Sequence, residues 1–151
     1  MNDRLNGVQL DQYHSRVTFR ILLQTELDRR RAANRRYSLR SFARALAVDH
    51  STLSQMLRGK RRLTARNVRS LGSRLRLDAA AIAEHSAAEN EAAVLAAFDR
   101  PGFRADSRWL STRSGIPLDE VNIALQRLLR KRVVTMQTRE RWVRAEETSR
   151  G

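Results

Sequence analysis

The sequence predicts a mainly α chain: an N-terminal five-helix bundle followed by a small C-terminal domain that closes on a β-hairpin. Three observations predict it. Between residues 13 and 87 apolar residues recur at helical spacings of three and four, and four segments in a row open with the same local code. After residue 88 the helical pattern runs through three more segments and then gives way to two β-prone runs, VVTM at 133–136 and RWV at 141–143. The charge also changes along the chain. Of a net charge of +14, residues 15–78 hold 17 Lys and Arg against 4 Asp and Glu, whereas residues 79–151 hold 12 against 10.

The elements follow in order. Residues 1–12 show no periodicity and read as a frayed tail, as do residues 146–151 at the other end. Residues 13–31 read as the first helix, with Phe19, Leu22, Leu23 and Leu27 on one stripe and Arg16, Arg20, Glu26 and Arg30 among its polar positions. The next four starts each place a capping residue inside an apolar pair: Ser38 between Tyr37 and Phe42, Asp49 between Val48 and Leu53, Thr64 between Leu63 and Val68, Asp78 between Leu77 and Ile82. The cap satisfies an orphan amide of the first turn, and the apolar staple sets the angle of entry. Helices two to five are therefore expected over 38–46, 49–57, 65–75 and 78–87. Phe42, Ala43, Leu46, Val48, Leu53, Met56 and Leu57 point inward, and Gly59 caps the end of helix three.

In the second domain, residues 88–145, a helix over 89–99 carries Ala93, Val94 and Ala97, and PGFR at 101–104 breaks it. A short helix over 107–113 holds Trp109 and Leu110, and Gly115 turns the chain. A longer helix over 118–131 follows, with Val121, Ala124, Leu125 and Leu128 on one stripe and Pro117, Asp119 and Glu120 at its start. QTRE then links the two strands of the hairpin. Trp109 and Trp142 read as core aromatics.

Composition narrows the function. With 151 residues, 41% hydrophobic and 30% charged, the chain suits one domain or two small ones. No apolar run approaches the roughly 18 residues of a membrane span, the N-terminus lacks the order of a signal peptide, and cysteine is absent. An untargeted cytoplasmic protein is expected, with no membrane partner. His14, His50 and His85 are scattered, there is no HxxxH or HExxH spacing, and no glycine-rich loop precedes a helix. No enzyme, metal site or cofactor is expected. The basic segment is the positive signal: a one-signed field attracts a polyanion, and although base composition can favour Arg, which makes up 28 of the 30 cations, it does not cluster them.

Five helices with FAxxLxVxxxxLSxxL inside the second and third, and GKR at the exit, resemble the Cro/C1 or XRE family of helix-turn-helix regulators. The likeness covers about residues 16–87 and is sharpest over 38–62. It implies a sequence-specific transcriptional regulator, more readily a repressor than an activator, associated with the nucleoid. Its third helix, residues 49–58, would enter the major groove of double-stranded DNA. Base contacts would come from His50, Ser51, Thr52 and Gln55, whose amide fork suits adenine. Phosphate contacts would come from Ser38, Arg40, Arg58, Lys60, Arg61 and Arg62. Members of the family commonly act as homodimers on inverted half-sites about 34 Å apart. One departure is Ala47, which stands at the turn position where the family usually has Gly; a left-handed Ala costs on the order of 1 kcal/mol relative to Gly.

Residues 89–144 resemble a winged helix more loosely. That likeness leaves two readings open. Asn122, Gln126, Arg127, Arg130, Arg139 and Arg141 could form a second DNA contact, or the domain could serve dimerisation or protein docking. For the whole chain the alternatives are a low-specificity nucleic-acid binder acting on the nucleoid or RNA, and a protein-interaction adaptor of antitoxin-like kind. Any small-molecule effector is left unspecified.

Overall fold

The computed structural model of the protein describes residues 18–145. Among them the chain is mainly helical, with seven helices and one two-stranded antiparallel sheet. It divides into two compact units, the boundary in the chain falling between Ser86 and Ala87, each with its own apolar core.

The first unit opens with α1 (Phe19–Ala33), whose N-cap Thr18 is extended and accepts from the Ile21 amide at 3.3 Å. Of the expected helix, residues 13–17 lie outside the described residues. At its other end α1 runs two residues past expectation, because Ala32 and Ala33 favour helix as strongly as any residue and nothing stops the chain before Asn34. Then come α2 (Leu39–Ala45), α3 (His50–Leu57) and α4 (Ala65–Arg74). Ser38 accepts from Ser41 N–H at 3.1 Å, and Asp49 from the amides of Ser51 and Thr52. Thr64 and Asn67 form a reciprocal capping box, and Asp78 accepts from Ala81 N–H at 2.7 Å. All four expected caps are in place, and the first staple is visible as Tyr37 against Phe42 with ring centroids 6.5 Å apart. Phe19, Leu23 and Leu27 of α1 close over Phe42, Ala43, Leu46, Leu53, Met56, Leu63, Val68 and Leu71.

The turn between α2 and α3 depends on Ala47, which is left-handed at φ +53°. Its amide bonds to the Arg44 carbonyl, and the Val48 amide to the Ala43 carbonyl. This is the Schellman arrangement that normally selects glycine.

A difference from expectation appears at α5 (Ala79–Phe98), a single helix where the sequence suggested two, over 78–87 and 89–99. Ten of its twenty residues are alanine, and it contains neither Gly nor Pro. Nothing at 87–88 interrupts the backbone hydrogen bonds, so the helix continues. In the second unit Ala93, Val94 and Ala97 of α5 are buried against α6 (Ser107–Ser114) and α7 (Leu118–Arg130). The PGFR break folds Phe103 onto Phe98 with centroids 4.5 Å apart and edge-on to Trp109 at 5.6 Å. Asp106 caps α6, and left-handed Gly115 ends it. Trp109 and Trp142 are both partly buried against this core, as expected.

β1 (Val134–Thr138) and β2 (Arg141–Arg144) pair antiparallel with Met136 opposite Trp142, and the register shifts between Met136 and Thr138. β1 extends two residues beyond the expected run, with the Thr138 hydroxyl accepting from the Glu140 amide at 3.2 Å. No helix among the described residues is long and apolar enough to cross a membrane.

Candidate nucleic-acid interface

Helical periodicity divides α3 sharply. Leu53 and Met56 are buried, while His50, Ser51 and Gln55 are exposed and Thr52 is half-buried. Three of the four residues expected to contact bases therefore face outward, and Thr52 lies at the margin of that face.

Their polar groups are differently committed. Ser51 donates its hydroxyl proton to Asp49 Oδ2, which leaves Ser51 Oγ only lone pairs to offer outward. Thr52 Oγ1 accepts from Arg61 Nη1 at 3.4 Å, so its own proton is free to donate. Among the described residues nothing bonds to the Gln55 amide. His50 lies beside the Asp49 carboxylate, which the Ser51 hydroxyl and then the Thr52 amide hold below the usual carboxylate range.

The exit of α3 is built by Gly59. Left-handed at φ +72°, it lets the Lys60 and Arg61 amides turn back onto the Gln55 carbonyl at 2.9 and 3.2 Å. The sharp reversal brings Arg61 back along the exposed side of α3 to Thr52, where the sequence alone placed it beyond the helix. Arg58, Lys60, Arg61 and Arg62 are all exposed here, and Arg40 is exposed at the start of α2. Ser38 is exposed too, but its hydroxyl is engaged with Ser41 at 3.0 Å.

One cation escaped the sequence reading as a site residue. The Arg20 guanidinium, from α1, lies against the backbone of Gly59 so closely that a Cβ there would collide with Nη1. It adds a charge to the exit from 39 residues away. No local signal marks such a residue; only the tertiary packing of α1 over α3 does.

In the second unit Asn122, Gln126 and Arg130 are exposed on α7, and Arg139 and Arg141 at the hairpin turn. Arg127 is a correction. Its Nε donates to Glu91 at 3.3 Å, and Lys131 Nζ reaches the same carboxylate at 3.0 Å. Glu91 has only 8% of its side chain exposed, and a buried carboxylate requires such partners. The sequence placed Arg127 on the exposed side of α7 with Asn122, Gln126 and Arg130, but it is half-buried and the acid that claims it comes from α5. The line of α7 directed farthest from the core also carries Asp119 and Ile123.

No cluster of three or more potential metal-ligating side chains occurs among the described residues. Set against protein-family models, curated proteins and solved structures, the chain matches none of them.

Proposed function

We propose that this protein is a sequence-specific regulator of transcription. Residues 18–86 form a Cro/C1-type helix-turn-helix bundle that lays α3 in the major groove of duplex DNA. One observation carries the reading: α3 buries Leu53 and Met56 and turns His50, Ser51 and Gln55 outward, with Thr52 at their margin, between an acidic cap and a cationic exit. Amides and hydroxyls on a rod of this width read base edges, while cations at its end neutralise phosphates and fix the register. Gln55 has the fork for adenine N6 and N7. Arg20, Arg40, Arg58, Lys60, Arg61 and Arg62 hold the backbone. Occlusion of a promoter is the consequence that follows most directly from such binding.

Selection from a randomised duplex pool, followed by sequencing of the retained fraction, tests the reading. Enrichment of one short motif is expected. Gln55→Ala should lower the preference at one adenine by about ten-fold, in line with 1–3 kcal/mol for a bidentate pair. Retention of all sequences alike would replace the reading with low-specificity binding, and retention of none at modest salt with a protein adaptor.

A further inference from the structure

We propose that the outer face of α7 is a seam on which two copies of this chain associate, antiparallel and about a two-fold axis. The inference does not depend on DNA binding.

Val121, Ala124, Leu125 and Leu128 bury one side of α7. The opposite side presents Asp119, Ile123, Gln126 and Arg130 in single file, at steps of four, three and four. Three steps cover eleven residues, an average of about 3.7 and close to the 3.6 of the α-helix turn, so the file runs along one line of a straight rod. Ile123 is 56% exposed, the most open large apolar residue among those described.

The ends of the file decide the occupant. Asp119 stands in the first turn and Arg130 in the last, about 16 Å apart along the axis. A two-fold axis between residues 124 and 125 brings Asp119 of each copy to Arg130 of the other, and Ile123 to Gln126. The file is therefore complementary to itself, which is the defining property of an isologous interface. A parallel pairing would set Asp119 on Asp119 and Arg130 on Arg130. The antiparallel one also opposes the two helix dipoles.

Two further features fit a second copy. Leu118, 40% exposed, and Asn122 border a groove of about 460 Å³ completed by Ala105, Asp106, Arg108 and Trp142, which offers room for side chains flanking the partner's helix. Residues 79–151 also carry a net charge of only +2, so approach of like chains is not opposed there as it would be over residues 15–78. Use of α7 as a second DNA reader fits less well. Its leading turn would carry the Asp119 carboxylate toward phosphates, and the middle of its face is Ile123.

Sedimentation of the full chain over a concentration series tests the seam. A reversible monomer–dimer equilibrium is expected. Asp119→Arg and Arg130→Asp should each weaken the dimer about ten-fold or more, since each sets like charges against one another twice. The double variant should recover it, and an equimolar mixture of the two single variants should pair with each other. Ile123→Glu, at an exposed position that folding tolerates, should hold the chain monomeric, with far-UV circular dichroism unchanged. A wild-type chain that stays monomeric throughout overturns the proposal, as does a double variant no better than the singles. So does loss of DNA affinity in Arg130→Asp with sedimentation unaltered.

Discussion

Asp49 holds the start of α3 with one oxygen. Oδ2 receives the Ser51 amide at 3.1 Å, the Thr52 amide at 3.2 Å and the Ser51 hydroxyl. These donors favour the ionised form, the hydroxyl most, and keep the carboxyl below its ordinary range. A depressed folded-state pKa contributes stability that is present above the unfolded value, about 4, and is lost as pH falls through the folded one. Asp49→Asn keeps a capping oxygen without titrating. Thermal melts of both chains from neutral pH to below 4 should show the wild type ahead at neutral pH and the gap closing on acidification. Parallel curves would show that the charge contributes nothing. The same atoms bear on base choice under the proposed reading. With the Ser51 proton on Asp49, the front of α3 is rich in acceptors, which suit the exocyclic amines of adenine and cytosine. Asn at position 49 adds a donor, so selected sites should shift toward guanine or thymine at one position. If sequenced pools for the two chains are identical, Asp49 is a cap and nothing more.

At the scale of elements, the chain shows how far local chemistry reaches. Four helices, α2, α3, α4 and α7, end in paired reversals in which the next two amides bond back to the last turn, yet only α3 has glycine at the left-handed position. Ala47, Arg76 and Arg132 sit at φ +53°, +59° and +59°. A left-handed L-residue costs on the order of 1 kcal/mol relative to glycine, so Ala47→Gly and Arg132→Gly should each raise stability by about that amount in urea titration. No gain at Ala47 would mean that the added freedom of the unfolded chain cancels the relief. Helix starts were legible because a cap needs an oxygen at one position and an amide two or three residues on, all inside a short window. The outward face of α3 was legible because its apolar positions follow the helical period. Arg76 and Arg132 carried no sign of their conformation, since arginine, unlike glycine, does not mark a left-handed position. The supposed break at 87–88 rested on a change of charge, and charge does not end a helix. Arg20 was passed over as a site residue and Arg127 misplaced for a common reason: the backbone of Gly59 and the carboxylate of Glu91 beside them lie 39 and 36 residues away, beyond what any local pattern encodes.

For the molecule as a whole, what matters is which cations are left to act. Between residues 18 and 78 there are four acids. Glu26 is paired with Arg29 at 2.7 Å and Arg30 at 2.9 Å, Asp28 accepts from Gln24 at 3.0 Å, and Asp49 and Asp78 serve as caps. Arg30 is further held by the Tyr37 hydroxyl at 2.9 Å and by the face of the Phe42 ring, which makes it a strut. Glu26 is thus taken up by two arginines of α1, and Asp49 is the one of these four acids that stands at α3, so the cations there are only slightly offset. If Arg20, Arg40, Arg58, Lys60, Arg61 and Arg62 each neutralise one phosphate, the logarithm of the DNA association constant should fall with the logarithm of salt concentration with a slope of roughly −5. Replacing Arg20 or Arg61 by Ala should reduce that slope by about 0.9 for every sequence alike, leaving the preferred motif unchanged. Arg127→Ala is the contrasting case. It removes one of two partners from buried Glu91, so it should lower stability by about 1–3 kcal/mol while the salt slope stays where it was. A slope unaffected by Arg20→Ala would take α1 out of the interface and leave its guanidinium as packing over Gly59. A slope that fell with Arg127→Ala would mean that Glu91 releases its partner on binding, because a cation held by a buried acid cannot also displace counterions from a phosphate.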